Sequence, residues 1–319
     1  MFAAIGDLHL EKLTKLIPAS LDLQLQTLES TLRGIENQGI RHVVLLGDVM
    51  DNPYPAQSTV RRFLDTLEAR DLFYHILLGN HDVAGVDVNG LDLVEWIGRS
   101  KRARVRVYTK PVLRTIDGVK CWLCPHPYTT SPPKGTELCF GHFPWSGAKR
   151  DNGSREPERP TPKGNWVLGD FHTHQTGNRF VYAGSLTQLS FAERLPKGYL
   201  LIDGANVTFE SIKPAYRLLR ADIRSVEDLA ALSKKALYSV TVAADLKLPS
   251  DWQLSHPNIV RVDASVKKRK NDVFMPSVFE LEGPLDGLRA WLKKRGNLSK
   301  SERILAMKEA QLLHKVLNA

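Results

Sequence analysis

Aspartate, histidine and asparagine recur in this sequence in short clusters, each introduced by glycine: Gly6-Asp7-Leu8-His9, Gly47-Asp48-Val49-Met50-Asp51, Gly79-Asn80-His81-Asp82, Gly141-His142 and Gly169-Asp170-Phe171-His172-Thr173-His174. On an extended segment, a carboxylate and an imidazole two positions apart, as in Asp7 and His9, point the same way. Mixed nitrogen and oxygen donors with few thiolates suit manganese, iron or zinc. The set is large enough for two ions about 3.5 to 4 Å apart with a carboxylate between them, and such a centre attacks phosphoesters. A hydroxide bridging the ions is a nucleophile at neutral pH, while the paired charges stabilise the in-line phosphoryl transition state. Glycine before each cluster fits the crowding of backbone and ligand at such a site. One Asp-x-His is commonplace on a surface; this ordered series is not.

Each cluster follows a short apolar run, the place where an open α/β sheet presents a ligand site. Runs at 2–6, 42–46 and 73–78 alternate with helical patterns. Between the first two, Leu21, Leu25, Leu28, Leu32 and Ile35 recur at helical spacing, with Ser20 as N-cap and Gly39 as stop. That alternation predicts α/β architecture. From Val112 the runs crowd together, at 112–116, 119–123, 137–140, 166–168, 180–183, 199–202 and 207–212, which predicts a second sheet packed on the first. Residues 145–164, rich in Pro, Gly and charge, read as a long surface loop. After Lys213-Pro214, a strand, a helix over 226–237 and strands over 238–243 and 259–262 predict a small α+β module ending near Gly283. The tail predicts a helix over 285–295 and another from Ser299, where Ser299 and Glu302 have capping-box spacing. The chain therefore divides into 1–213, which carries the clusters, 214–283 and 284–319.

Of the 319 residues, 42% are apolar and 25% charged, with a formal net charge of +9. This composition excludes disordered, collagen-like and solenoid classes, and the positive balance favours a polyanionic partner, nucleic acid first. Cys121, Cys124 and Cys139 are too few and too odd in number for a disulfide framework, so a reducing, cytoplasmic setting is expected. They read as buried small apolar residues, since Cys121-x-x-Cys124 lacks the second pair that a zinc site needs. No apolar run approaches 18 residues, and no membrane association is expected.

In order and spacing, Asp7-x-His9, Gly47-Asp48-x-x-Asp51, Gly79-Asn80-His81-Asp82, Gly141-His142 and Gly169-x-x-His172 resemble the five motifs of calcineurin-like metallophosphoesterases. Tyr182-Ala183-Gly184-Ser185-Leu186 followed by Ser190-Phe191-Ala192-Glu193 resembles a segment of SbcD-type nucleases, the nuclease subunits of double-strand-break processing complexes. The resemblance implies an α/β calcineurin-like sandwich, two packed mixed sheets flanked by helices, with a small α+β DNA-capping domain and a helical tail that binds a partner. It implies a Mn²⁺-dependent exonuclease and endonuclease acting on DNA, partnered by an SMC-like (SbcC-type) ATPase and forming a homodimer. Two divalent ions are implied, Mn²⁺ first with Mg²⁺ as the alternative. One would be held by Asp7, His9, Asp48 and His172, the other by Asp48, Asn80, His142 and Asp170, with Asp48 as the bridge. His81 matches the family histidine that protonates or stabilises the leaving oxygen, and Asp51 falls at a supporting position. Other readings of the same motifs are an enzyme acting on small phosphoesters or pyrophosphates, and an inactive scaffold.

The last motif departs from the family's Gly-His-x-His. Two registers stay open: aligning Gly169 and Gln175 makes Asp170 and His172 the ligands, whereas the other register uses His172 and His174. Asp82 reads as a residue that orients His81 or caps a turn, and His126 as a satisfied structural histidine. The basic runs Arg99 to Arg106 and Lys267 to Lys270, with Lys149, Arg150, Arg155, Arg159 and Lys163 in the long loop, are either solvated faces or phosphate contacts. Trp145 reads as an aromatic that packs the loop.

Overall fold

The structure, a computed structural model, describes residues 1–85, 88–100, 104–194, 196–248, 252–253 and 255–264. The tail helices and Lys267 to Lys270 lie outside the described residues. The strands β1 (Phe2–Ile5), β2 (His42–Leu45) and β3 (Phe73–Leu77) alternate with helices α1 (Ser20–Asn37) and α2 (Gln57–Glu68). A small hairpin of β4 (Val83–Ala84) and β5 (Val88–Asn89) and the helix α3 (Asp92–Ser100) then lead into β6 (Arg104–Tyr108). In β1, alternate side chains serve two cores: Ala3 and Ile5 pack with Leu28, Leu32 and Ile35 of α1, whereas Phe2 and Ala4 pack with Phe140 and Val167 of the second sheet. Burial on both faces is why this run reads as continuously apolar.

Helix α1 buries Leu25, Leu28, Leu32 and Ile35 as their spacing predicts, and Gly39 turns the chain out of it with φ 78°. Ser20 is not the N-cap: Ala19 holds that position without a side-chain cap bond, and Ser20 is buried in the first turn.

The second sheet contains β7 (Val112–Ile116), β8 (Val119–Cys124), β9 (Leu138–His142), β10 (Trp166–Gly169), β11 (Gln175–Gly177) and β12 (Phe180–Tyr182), in the order β11-β12-β10-β9-β8-β7. The runs expected over 199–202 and 207–212 do not belong to it. As β13 (Lys197–Asp203) and β14 (Asn206–Ile212) they extend the first sheet, with β13 antiparallel to β1. That pairing covers the edge of β1, which an apolar strand cannot leave open to solvent. The first sheet thus runs β14-β13-β1-β2-β3-β6, and the architecture is two packed mixed sheets flanked by helices. β6 is an edge strand whose exposed Arg104 and Arg106 alternate with Val105 and Val107, so part of the basic run is a strand face. Arg104 pairs with Asp71 at 2.6 Å.

Beyond Pro214, β15 (Leu218–Ile223), α4 (Val226–Ala230), β16 (Leu237–Val242) and β17 (Ile259–Ala264) form a three-stranded parallel sheet over α4. Ser225 and Asp228 close a capping box on α4, which ends at Ala230 instead of reaching residue 237. Leu13, Ile17, Tyr216 and Leu218 form a cluster that joins this module to the segment after β1. No helix among the described residues is long and apolar enough to cross a membrane.

Candidate metal centre

The segments following β1, β2, β3, β9 and β10 meet at one point. His9 N–H donates to Asp48 O at 2.8 Å and Asp51 N–H to Leu10 O at 3.1 Å, so the first two segments continue side by side past their strands. Asp7 and His9 do not lie on extended backbone as expected. Their φ angles are 35° and 43°, with Asp48 at 49° and Asp170 at 98°, in the left-handed region that costs a residue with a Cβ roughly 1 to 3 kcal/mol. Tight left-handed turns, not strand alternation, bring these side chains together. Gly47 and Gly79 make room: a Cβ on Gly79 would overlap the Asp48 carboxylate, and one on Gly47 would overlap the His142 ring.

Three imidazoles share one design. His142 Nδ1–H donates to Leu46 O at 2.7 Å, His9 Nδ1 lies 3.1 Å from Asp51 Oδ1, and His172 Nδ1 lies 3.0 Å from Glu193 Oε1. Because each Nδ1 faces an oxygen that can only accept, each Nε2 is turned inward, where it would offer its lone pair to a cation that displaced its proton. His9 Nε2 stands 3.2 Å from His172 Nε2 and 3.2 Å from Asp48 Oδ2; His142 Nε2 stands 3.4 Å from Asp48 Oδ2 and 3.0 Å from Asn80 Oδ1. The geometry groups Asp7, His9 and His172 as one candidate ligand set, Asp7, Asp48 and His142 as another, and His9, Asp51 and His81 as a third on the cleft side. Asp170 joins the second through a carboxylate 4.0 Å from His142 Nε2 and an N–H that donates to Asp7 Oδ1 at 2.9 Å. Asp7 Oδ2 is buried with no hydrogen-bond partner. An orphaned carboxylate oxygen and imidazole Nε2 atoms crowded against one another and against carboxylates are what cations satisfy, so the residues fit a pair of divalent ions.

The electrostatics match. Burial opposes charge throughout, yet the carboxylates of Asp48 and Asp51 raise His9 to about 9, and Asp48 raises His142 well above the imidazole range. Asp48 itself is held far below the carboxylate range by His142 and His9 despite its burial. Burial prevails at Asp7, which is raised, and at Asp170, raised to about 6. The group can exchange its protons for cations.

The remaining residues sort by contact. His81 is half-exposed beside the centre, its ring edge-on to His9 at 4.6 Å, its N–H donating to Asp48 Oδ1 and its Nδ1–H to Asp51 O. Asp51 therefore holds both His9 and His81. The buried carboxylate of Asp82 accepts from Met50 N–H and Gly79 N–H, stapling the segment after β2 to that after β3, and leaves the orientation of His81 to Asp51. His174 donates from Nδ1 to Tyr182 O at 2.7 Å and stacks on Phe209 at 4.1 Å, away from the Nε2 cluster. The three cysteines are buried and unbridged. Trp145 is buried against Phe143 and Phe180, so the loop it opens is partly a core element. Glu156, also buried, pairs there with Arg150 and Arg159.

Sequence reasoning missed Glu193 as the partner of His172 and Lys197 as the partner of Glu193, at 2.6 Å. The available signal was a lysine opening the apolar run of β13, where a solvated charge has no place. Asp48, Asp170 and His172 of the centre line a cleft of about 460 Å³, together with Asn80, His81 and Arg150 among others.

A family model described as calcineurin-like phosphoesterase matches residues 1–175, more than half of the chain and every cluster above. The chain belongs to the calcineurin-like phosphoesterase family. Members of this family depend on two metal ions, and the Asp and His groups are of a kind and spacing that can hold metal ions. The Tyr182 to Glu193 segment and the β15–β17 module lie beyond the matched region of the phosphoesterase. No curated protein matches the chain.

Proposed function

We propose that this phosphoesterase is a DNA nuclease of the SbcD type that hydrolyses phosphodiester bonds with Mn²⁺. The observation that carries the reading is the convergence of three Nε2 atoms and the carboxylates of Asp7, Asp48 and Asp170 beneath an open cleft that Asp48, Asp170 and His172 line, in a chain of charge +9. An open floor admits a polymer, and net positive charge draws a polyanion to it.

Asp7, His9, Asp48 and His172 hold one ion in this reading; Asp48, Asn80, His142 and Asp170 hold the other. Ions so placed supply Lewis acidity toward the phosphoryl oxygens and acidify the attacking water. Asp48, within 3.4 Å of the Nε2 atoms of both His9 and His142, would be shared by the two ions. His81, fixed through Nδ1–H to Asp51 O, delivers a proton from the cleft side to the leaving oxygen. Asp51 stays a supporting residue because its Oδ1 is spent on His9 Nδ1. Imidazole nitrogens favour Mn²⁺ over Mg²⁺. The reading extends to a cytoplasmic homodimer working with an SMC-like ATPase, its β15–β17 module capping the DNA. The test is release of nucleotides from labelled linear duplexes in Mn²⁺, beside bis-p-nitrophenyl phosphate. Duplex degradation that Asp48→Asn abolishes is the expected result. Hydrolysis of the small diester alone would assign the centre to small phosphoesters, and hydrolysis of neither would overturn the reading.

A further inference from the structure

The two hydrogen-bonding ends of His172 are gripped by one buried ion pair. Glu193 Oε1 lies 3.0 Å from the ring Nδ1, and Lys197 Nζ donates to the His172 carbonyl at 2.9 Å. The pair closes on itself at 2.6 Å, and its side chains are 4% and 2% exposed. Glu193 Oε2 also accepts from Leu189 N–H at 3.1 Å, and Lys197 also donates to Ser185 Oγ at 2.7 Å, whose own proton goes to Thr187 O at 2.8 Å. The backbone that carries Glu193 is equally fixed. Gln188 Nε2 donates to Glu193 O at 2.8 Å and to Leu218 O at 3.0 Å, while its Oε1 accepts from Leu218 N–H at 2.9 Å. A chain of hydrogen bonds thus runs from the first strand of the small module to the ring of His172.

A buried ion pair is weak evidence of stabilisation, since its desolvation offsets its attraction. Its place here has a different use. An acceptor at Nδ1 commits that nitrogen to its proton and leaves Nε2 as the free lone pair, directed at His9 Nε2 3.2 Å away. We propose that Glu193 is a positioning residue, fixing the tautomer and plane of the His172 ring so that Nε2 is presented to a metal ion, with Lys197 as its clamp. This rests on the two-metal reading above. Asp151 also approaches His172 Nδ1, at 3.4 Å, but it is 32% exposed on the loop and lacks such a clamp.

The experiment measures Mn²⁺ binding by calorimetry and the His172 ring nitrogens by ¹⁵N NMR of the metal-free protein. The wild type is expected to bind two ions and to show His172 protonated at Nδ1. In the double variant Glu193→Met/Lys197→Met, which removes both charges together, one ion should bind about 10- to 100-fold more weakly and the other tautomer should appear, with the melting temperature little changed. Glu193→Asp keeps the ion pair and draws the carboxylate back from Nδ1, and should weaken one ion about ten-fold in a protein that folds securely. Asp151→Asn should leave both readouts unchanged. Wild-type affinity and tautomer in the Met or Asp variants, or their loss in Asp151→Asn instead, would overturn the proposal. A wild type that binds no ion would overturn the two-metal reading itself, and the two failures are distinguishable.

Discussion

Removing Glu193 or Lys197 singly should be far more damaging than removing both. The pair is almost fully buried, so Glu193→Met leaves an ammonium with only neutral partners and Lys197→Met leaves a carboxylate without its counter-charge. Breaking such a pair from one side costs about 3 to 5 kcal/mol, whereas replacing both members by apolar side chains is close to neutral. The acidity of Glu193 gives a second route to the size. Against its burial, His172 and Lys197 hold it at about 2 instead of 4.5, and that difference, 4.5 − 2, corresponds to roughly 3 kcal/mol at about 1.36 kcal/mol per unit. Because the folded-state value is the lower one, the contribution is present above pH 4.5 and is lost as the pH falls toward 2. At about 2 to 4 °C per kcal/mol for a domain of this size, each single variant should melt roughly 6 to 20 °C below wild type. Thermal melts followed by far-ultraviolet circular dichroism in EDTA, with the double variant closing the cycle, give the coupling energy directly. Single variants within about 2 °C of wild type, or a double variant whose loss is the sum of the singles, would refute the argument.

Three further outcomes are expected. His75 is pushed down to about 4 by burial, then by His42, Arg106 and Arg114, so it stays neutral in the fold while the unfolded chain takes up a proton near 6.5. Stability should therefore fall by about 3 kcal/mol between pH 6.5 and 4, from 6.5 − 4 at about 1.36 kcal/mol per unit, and a urea series in which His75→Leu leaves that slope unaltered would contradict it. Asp170→Ala should lose one Mn²⁺ ion by elemental analysis while His174→Ala retains both; the opposite pattern would show that the last motif is read in the wrong register. His81→Ala should keep both ions and lower turnover on the duplex by about 10² or more, whereas loss of an ion would make His81 a ligand.

What could be read from sequence is what lies at strand ends, where side-chain type and glycine spacing are both visible: Asp7, Asp48, Asn80, His142 and His172 follow or close β1, β2, β3, β9 and β10, and the structure brings them together. What the pattern could not carry is anything that depends on which element lies beside which. β13 and β14 read correctly as strands, but nothing in their apolar alternation says that they cover β1. The left-handed turns at Asp7 and His9 were invisible for the same reason: an extended reading places both side chains on one side, and only the packed neighbours impose the strained turn. Of the two roles open to Asp82, orienting His81 or capping a turn, the structure shows the second: its carboxylate accepts from Gly79 N–H three residues earlier, and by accepting from Met50 N–H it also staples the segment after β2. Glu193 stands in the segment that resembles SbcD-type nucleases, but its role is not visible there because its partner His172 is 21 residues away in sequence. Lys197 carried a local clue, a charge at the start of an apolar strand, whose meaning required the carboxylate beside it.

The most direct test of the account is anomalous diffraction at the manganese edge from crystals of this chain soaked in Mn²⁺. Two peaks about 3.5 to 4 Å apart are expected on the cleft floor, one against His9 and His172, the other against His142 and Asn80, with the Asp48 carboxylate touching both. A single peak, or two that Asp48 does not join, would contradict it.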